Sequence, residues 1–355
     1  MSIQRFEGFD LFSDTGTNPS DLLAKNFSVG SSATFAYTSG QFAGSAIQMN
    51  AATDILVVPY ATAVTDSFVG FFLYIAAAPG AVATILEFHT HDTVAATPHL
   101  ALKVNTDLSV QVFRDGSTSL GVSAASVLAT STWQFVEMRA NIDGASGDFD
   151  VQIGAVSVVS GTGVNTRSSV SATNNVNAIK LIGAATMLPQ FDDLYIVDTT
   201  VLGTHPVTFL GPITVATLYP NADSVVNDFT PVGTGSANYD RVNETPSKND
   251  DTNYVQSATV GDAELYAFDN IPGAYAGATV IAVQTTAAIK KVAPGEKQIK
   301  TRMRISATNA DGGNKFVTDN YQYMPPQIEV INPFTTTAWT QSEVSVLEAG
   351  FVLVT

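Results

Sequence analysis

The sequence predicts an all-β protein built as a sandwich or jelly roll, and three observations lead to that prediction. Short runs rich in Val, Ile, Phe and Leu recur between residues 68 and 182, separated by Gly, Asn, Asp or Ser clusters, which is the spacing of strands in antiparallel sandwiches. Within "LSVQVFRDG", Val110 and Val112 alternate with Ser109 and Gln111, the period of a half-buried strand. Charged residues are only 14% of the chain and hydrophobic ones 45%, as in folded chains with neutral surfaces.

Two segments carry helical signals. The segment "NPSDLLAKNF" (residues 18–27) is expected to form one short turn, with Ser20 or Asp21 as its N-cap. The segment "TQSEVSVLEAG" (residues 340–350) is expected to form another, because Gly350 suits a C-terminal cap. The helical content is therefore expected to be small.

The chain is long enough for two domains, since 355 residues exceed what one core comfortably serves. The sequence pattern changes near residues 199–212, after the series of strand-like runs, and a long polar, turn-rich segment follows at 232–254. We therefore predict an N-terminal domain over residues 1–203 and a C-terminal domain over residues 204–355.

Charge and cysteine content exclude several classes of function. The net charge is −16 with a pI of about 4.4, so binding of nucleic acid or of anionic lipid is disfavoured. The chain has no cysteine, which excludes disulfides, thiolate metal sites and cysteine nucleophiles and suits assembly in a bacterial cytosol. The most apolar stretch, residues 68–86, is interrupted by Pro79 and Gly80 and is not expected to span a membrane, and residues 1–12 lack a signal-peptide core.

Adjacent carboxylates in "FDDLYIVD" (residues 191–198) raise the question of hydrolysis. Cooperating acids on one strand need even spacing, whereas Asp192 and Asp193 are neighbours and are expected to point to opposite faces, one at an edge and one buried. No Glu-x-Asp-x-Glu strand, nucleophile elbow or phosphate-binding glycine loop is present in the sequence. We therefore predict no catalytic residues and no enzymatic activity.

No resident metal or other cofactor is predicted, but three segments contain candidate ligands. "HTH" would place His89 and His91 on one side of a strand, with His99 on its neighbour. Calcium is the ion that suits this chain better, because loops rich in carboxylates hold it. The candidate calcium ligands in "NIDGASGDFD" are Asp143, Asp148 and Asp150. A second acidic loop, "NETPSKNDDTNY", covers residues 243–254.

Basic and aromatic residues give two further hypotheses. Lys300, Arg302 and Arg304 alternate along one strand and share a face, which we interpret as a solvated or interface strand. Trp133 begins a strand and is expected in the core. The other aromatic candidates for a sugar platform are Trp339, Tyr254, Tyr266, Tyr321 and Tyr323.

The first part of the chain resembles laminin-G-like, or concanavalin A-like, jelly-roll domains. The resemblance lies in "WQFVEMRANID", "GDFDVQIGAVSVVSG" and "AIKLIGAATMLPQFDDLYIVD", with "EGFDLF" and "TSGQFAGSAIQM" matching the first strands. It covers about residues 3–200. It implies that Trp133 opens a strand and that Asp192 and Asp193 belong structurally to the last strand of the sandwich. No calcium-and-asparagine loop of the lectin relatives is matched, so sugar binding rests on the fold alone.

The second part resembles a C-terminal module of tailed-bacteriophage virion proteins that follows a laminin-G-like domain. The matching segments are "FLGPITVATLYPNADSVVNDFTPVGTGSANYDRVNETP", "DDTNYVQSATVGDAELYAF" and "AWTQSEVSVLEAGFVL", within about residues 205–355. The resemblance implies a second β-sandwich or jelly-roll domain and a structural role in a virion assembled in the bacterial cytoplasm.

Three functions are therefore weighed for this chain. The first is a virion structural component, a capsid decoration or a fibre or tail appendage, that docks on other virion proteins as a homo-oligomer such as a trimer. The alternative is a glycan-binding adhesin that contacts the host surface. The third is a polysaccharide depolymerase, which the missing spaced acids disfavour.

Overall fold

The computed structural model divides the chain into two compact units, Met1–Val215 and Ala216–Thr355. It describes residues 2–12, 16–17, 20–30, 34–42, 44–91, 97–199, 208–235, 237–243, 251–324 and 326–355. The domain boundary predicted at 203/204 lies outside the described residues.

In its described residues the first unit is a jelly-roll sandwich of sixteen strands. Its strands are β1 (Ser2–Glu7), β2 (Gly16–Thr17), β3 (Ser28–Val29), β4 (Thr34–Ser39), β5 (Ser45–Met49), β6 (Ile55–Val64), β7 (Asp66–Tyr74), β8 (Ala83–His89), β9 (Leu100–Val104), β10 (Val110–Arg114), β11 (Thr118–Val122), β12 (Trp133–Asn141), β13 (Gly147–Ile153), β14 (Val156–Val164), β15 (Val176–Ile182) and β16 (Gln190–Asp198).

These strands form two antiparallel sheets around one core. A nine-stranded sheet has the order β14-β13-β12-β7-β16-β5-β4-β2, with β1 also on β16, and a seven-stranded sheet has the order β11-β10-β9-β8-β15-β6-β3. Alternation aims Val69, Phe71 and Leu73 of β7 into the core, where Leu86 and Leu102 of the second sheet meet them. The predicted all-β class and the sandwich architecture of the first unit are confirmed.

The outer face of the nine-stranded sheet is rich in aromatic residues. On β7 and β12 the residues that alternate with the core positions include Phe72 and Phe135, whose ring centroids are 4.8 Å apart. Phe135 lies 6.3 Å from the ring of Tyr195 on β16. Gly70 stands opposite Glu137, and the Tyr195 ring passes directly over it. Phe72, Phe135 and Tyr195 are buried, so the outer face is already covered at these residues.

The second unit is also built of strands. They are β17 (Pro220–Asn227), β18 (Thr230–Val232), β19 (Tyr254–Gln256), β20 (Ala263–Phe268), β21 (Val283–Thr285), β22 (Ala288–Ile289), β23 (Gln298–Ile305), β24 (Thr308–Asp311), β25 (Lys315–Phe316), β26 (Gln322–Tyr323), β27 (Gln327–Glu329) and β28 (Glu348–Leu353). A six-stranded sheet has the order β17-β20-β28-β23-β24, with β25 also on β23, and three two-stranded sheets accompany it. Met303, Trp339 and Leu347 lie in one of its buried clusters.

Helices are short, as predicted. They are α1 (Ser20–Ala24) and α2 (Gln341–Val344), with 3₁₀ turns at Tyr239–Arg241 and Gly273–Tyr275. Thr340 and Glu343 form a reciprocal capping box at α2. The expected C-terminal cap at Gly350 was wrong, because Gly350 lies inside β28, where a Cβ would collide with the backbone of Glu264 on the neighbouring strand. No helix among the described residues is long and apolar enough to cross a membrane.

Candidate functional site

A row of side chains crosses five adjacent strands on the outer face of the nine-stranded sheet. The pairing register aligns Trp133 with Tyr74, Tyr74 with Gln190, Gln190 with Gln48, and Gln48 with Ala36. Laterally aligned residues of a sheet project on the same side. All five are half-buried. We call this set the outer row.

The outer row has an aromatic end and an amide end. The rings of Tyr74 and Trp133 lie 5.6 Å apart at an angle of 54°. Gln190 Nε2 donates to Gln48 Oε1 at 3.1 Å, and Thr38 Oγ1 donates to Gln190 Oε1 at 2.8 Å. Gln48 Nε2 in turn donates to Asn50 Oδ1 at 2.7 Å. The amides are therefore held in fixed orientations by one another.

Phe42 forms a wall beside the outer row. Its side chain is 52% exposed, and its ring meets that of Phe72 edge-on at 5.4 Å. The loop that carries Phe42 is fixed from below, because Gln41 N donates to Asp192 Oδ2 at 2.7 Å and Ser45 N donates to Asp10 Oδ1 at 2.9 Å. The first of the two adjacent carboxylates therefore positions this wall.

The two adjacent carboxylates do not point to opposite faces, and that expectation was wrong. Asp192 pairs with Phe72 of the outer face, and the register between β16 and β7 shifts between Asp192 and Tyr195. Asp193 has a φ of 50°, so a β-bulge interrupts the alternation and both acids lie on the side of the outer face, under the segments that they hydrogen-bond. Their residues are 2% and 3% exposed. Burial raises the pKa of both carboxyls, and the charge of Asp192 raises the pKa of Asp193 further.

The second carboxylate fixes a strap of chain, residues 208–215, on the same outer face. Asp193 Oδ1 accepts from Val215 N at 2.7 Å. Glu137 Oε1 accepts hydrogen bonds from Tyr195 Oη at 2.5 Å and from Gly211 N at 2.9 Å. Burial raises the pKa of Glu137. The implied structural role of Asp192 and Asp193 in the last strand of the sandwich agrees with these contacts.

A groove of about 460 Å³ lies along the strand-end edge of the seven-stranded sheet, where β8 ends and β15 begins. The described residues that line it are Thr90, His91, Thr97, Val170, Ser171, Ala172, Thr173, Asn175 and Asn177. We call it the edge groove. Asn177 Nδ2 donates to the Thr90 carbonyl at 2.6 Å, while its buried Oδ1 accepts no hydrogen bond in the part of the chain that the structure describes.

His99 hydrogen-bonds to both ends of the loop, residues 168–175, that lines the edge groove. Its Nδ1 accepts from Ser168 N at 2.9 Å, so Nε2 carries the proton and donates to the Asn175 carbonyl at 3.2 Å. Burial lowers the pKa of His99 to about 4. His89, Asp115 and Arg167 are the charged or titratable groups that act on it. The imidazole is therefore neutral at pH 7.

The candidate calcium ligands already accept hydrogen bonds from the chain. Asp143 Oδ1 accepts from the N–H groups of Ala145 and Ser146, and these bonds lower the pKa of its carboxyl. Asp148 accepts from Asn141 and Gly163, and Asp150 from Gln152 and Ser157. Among the described residues no group of three His, Asp or Glu side chains could hold a metal. In the second acidic loop, residues 244–250 lie outside the described residues.

The histidines are not gathered into one site either. His89 is buried and bonded to Glu87 at 2.8 Å, His91 is exposed at the edge groove, and His99 holds the loop. The predicted shared face of Lys300, Arg302 and Arg304 exists on β23, but each is paired: Lys300 and Arg302 with Asp311, Arg304 with Glu348. All three cations are therefore engaged in ion pairs, with two carboxylates between them.

The aromatic candidates for a sugar platform lie in different environments. The expectation that Trp133 is in the core was wrong, because it opens β12 at the sheet's end and is half-buried beside Tyr74. Trp339 and Tyr266 are buried in the second unit. Tyr254, Tyr321 and Tyr323 are half-buried. No local signal in the sequence marks Tyr74, Gln190 and Gln48 as partners of Trp133, since only strand pairing aligns them.

Comparison with known proteins yields structural likeness alone. No protein-family model matches the chain, and no curated protein matches it. A Trypanosoma rangeli sialidase is 9% identical with a TM-score of 0.33, over 47% of this chain and 27% of that one. The carbohydrate-binding module CBM66 from Bacillus subtilis is 11% identical with a TM-score of 0.33, over 48% and 94%. The galectin LEC-6 of Caenorhabditis elegans is 10% identical with a TM-score of 0.28, over 40% and 89%.

This chain thus matches less than a third of the sialidase's length. At these TM-scores the likeness carries no functional argument, and function is argued from the outer row.

Proposed function

We propose that the N-terminal sandwich binds a neutral glycan on the outer row. The observation that carries the proposal is the Trp133–Tyr74 ring pair beside the bonded amides of Gln190 and Gln48 on one sheet face. Aromatic faces pack against the C–H groups of a pyranose, while amides can donate to and accept from its hydroxyls. The two halves of the outer row therefore supply the two kinds of contact that a sugar needs.

Charge supports a neutral ligand. The outer row and Phe42 carry no ionisable group except the Tyr74 phenol, in a chain whose net charge is −16. An anionic sugar would meet repulsion with no cation in the outer row to offset it. A neutral glycan would not meet this repulsion.

The test is a screen of neutral glycans on an array, followed by titration calorimetry of the full chain. We expect Trp133→Ala to weaken binding by about tenfold or more and Gln190→Ala by about fivefold. Phe316→Ala, at an exposed ring of the second unit, and Gln111→Ala, at a half-buried amide on the other sheet, are the matched controls. Absence of any binder, or equal binding by all four variants and the wild type, would overturn the proposal.

We also propose that the chain as a whole is a structural component of a tailed-phage virion that docks on other virion proteins as an oligomer. The support is the sequence resemblance of about residues 205–355 together with the separate compact unit Ala216–Thr355.

Cryo-electron microscopy of intact particles tests this second proposal. Many copies over the shell would indicate decoration, and a few copies at the neck or tail would indicate an appendage that presents the outer row to the host. Purified particles without the chain would refute the virion role. We propose further that the chain hydrolyses no polysaccharide, and release of reducing sugar from a bound glycan would contradict that.

A further inference from the structure

We propose that the outer row takes an interior stretch of a linear, unbranched polysaccharide, laid across the strands, rather than a terminal sugar. This inference rests on the proposed glycan binding and names the shape of its ligand. It follows from three features: the length of the outer row, its ends, and the wall beside it.

The length of the outer row fits several sugar rings in line. Its five members lie on β12, β7, β16, β5 and β4 in unbroken succession. Neighbouring strands are about 4.8 Å apart, so the outer row runs for about 19 Å. One strand spacing is close to the length of one pyranose in an extended chain. The span of the outer row therefore accommodates about four sugars, one for each strand spacing.

The ends of the outer row favour a chain that continues past it. In the register between β12 and β13 the pairing begins at Val136 with Ile153, so the Trp133 end extends beyond the part of β12 that β13 covers. At the other end, Ala36 is the last and smallest member. The two aromatic rings lie at one end of the outer row and the amides lie further along it, so they would contact successive sugars of a chain. A site for a single terminal sugar would instead gather its polar side chains around one sugar ring.

The wall beside the outer row argues against branches on that flank. Phe42 is exposed and its ring rests edge-on against Phe72, which lies two residues before Tyr74 on β7. Its loop is tied to Asp192 and Asp10 through the N–H groups of Gln41 and Ser45. A sugar branch on this flank would meet a fixed ring.

Calorimetry with defined oligosaccharides tests the inference. The probes are cello-, malto- and β-1,4-manno-oligosaccharides of two to six units, and manno-oligosaccharides that carry single galactose branches. We expect at least one linear series to gain about tenfold or more in affinity from two to four units and little beyond. Branched probes should bind more weakly than linear ones of equal length, and Phe42→Ala should narrow that gap.

The outcomes separate the two proposals. If no series binds at any length, the proposed glycan binding itself fails. If binding occurs and Trp133→Ala weakens it, but affinity is equal from two to six units or branches have no effect, the glycan site stands and the linear-chain inference is overturned.

Discussion

The carboxylate of Asp193 accepts a hydrogen bond of 2.7 Å from the backbone N–H of Val215. Its neighbour Asp192 accepts one of equal length from Gln41. One acid thus fixes the strap on the outer face, and the other fixes the loop that carries Phe42. Both acids can face the same side of the sheet because a β-bulge interrupts the alternation between them.

Asp193→Asn is expected to stabilise the protein increasingly as pH rises. The folded-state pKa of Asp193 is raised above its ordinary value of 3.8, so the folded wild type holds a proton that the unfolded chain releases. The contribution of Asp193 to the free energy of unfolding is therefore full below about pH 4 and is lost as pH rises through the raised pKa. Asparagine keeps an acceptor for Val215 and tolerates the positive φ. Urea unfolding between pH 5 and 8 should show a gain of about 1–3 kcal/mol for the variant.

Fluorescence of Trp133 in a Trp339→Phe background reports the first unit alone in this measurement, since these are the two tryptophans of the chain. Asp319→Asn, at an exposed carboxylate of the second unit, is the control. A pH-independent difference between Asp193→Asn and the wild type would contradict the assigned burial.

Asp192→Ala is expected to loosen the Phe42 loop more than Asp192→Asn does. Alanine leaves Gln41 N without its acceptor, a loss of about 1–3 kcal/mol for a buried bond, whereas asparagine retains an oxygen. Hydrogen exchange at the Gln41 amide should be faster in Asp192→Ala than in Asp192→Asn. Equal exchange rates in both variants would show that the carboxylate does not hold the loop.

His99 should make the first unit less stable in mild acid. Burial lowers the pKa of His99 from 6.5 to about 4, so the unfolded chain takes up a proton before the folded one does. The contribution of His99 to the free energy of unfolding is complete above about pH 6.5 and is lost as pH falls toward 4. Subtracting the unfolding free energy of His99→Gln from that of the wild type should give a difference that falls by about 2–3 kcal/mol over this window. A flat difference would contradict the neutral, doubly bonded imidazole.

Gly70→Ala is expected to destabilise the first unit by about 1–3 kcal/mol. A Cβ at this position would overlap the Tyr195 ring, which crosses the glycine to reach Glu137. Gly80→Ala is the matched control, because the nearest heavy atoms to a Cβ there, both on Thr186, are 4.0 Å away. Equal thermal midpoints for the two variants would refute the close passage of Tyr195.

Local pattern determined the strands because period-two alternation reports burial within one segment. It was enough to predict an all-β sandwich and the shared face of Lys300, Arg302 and Arg304, whereas the place of Asp192 and Asp193 in the last strand was implied by the resemblance to laminin-G-like domains. It failed at Gly350, where a neighbouring strand's backbone rather than a helix end requires glycine. It failed again at Asp192 and Asp193, where a bulge breaks the alternation on which the prediction depended.

The sequence by itself determined the fold class, the acidic and cysteine-free character of the chain, and the absence of spaced catalytic acids on one strand. Only the tertiary structure decided the site. Trp133, Tyr74, Gln190 and Gln48 lie far apart in the chain, and the register of four strand pairs aligns them with Ala36. Register depends on long-range pairing and on bulges, which no local window of sequence contains.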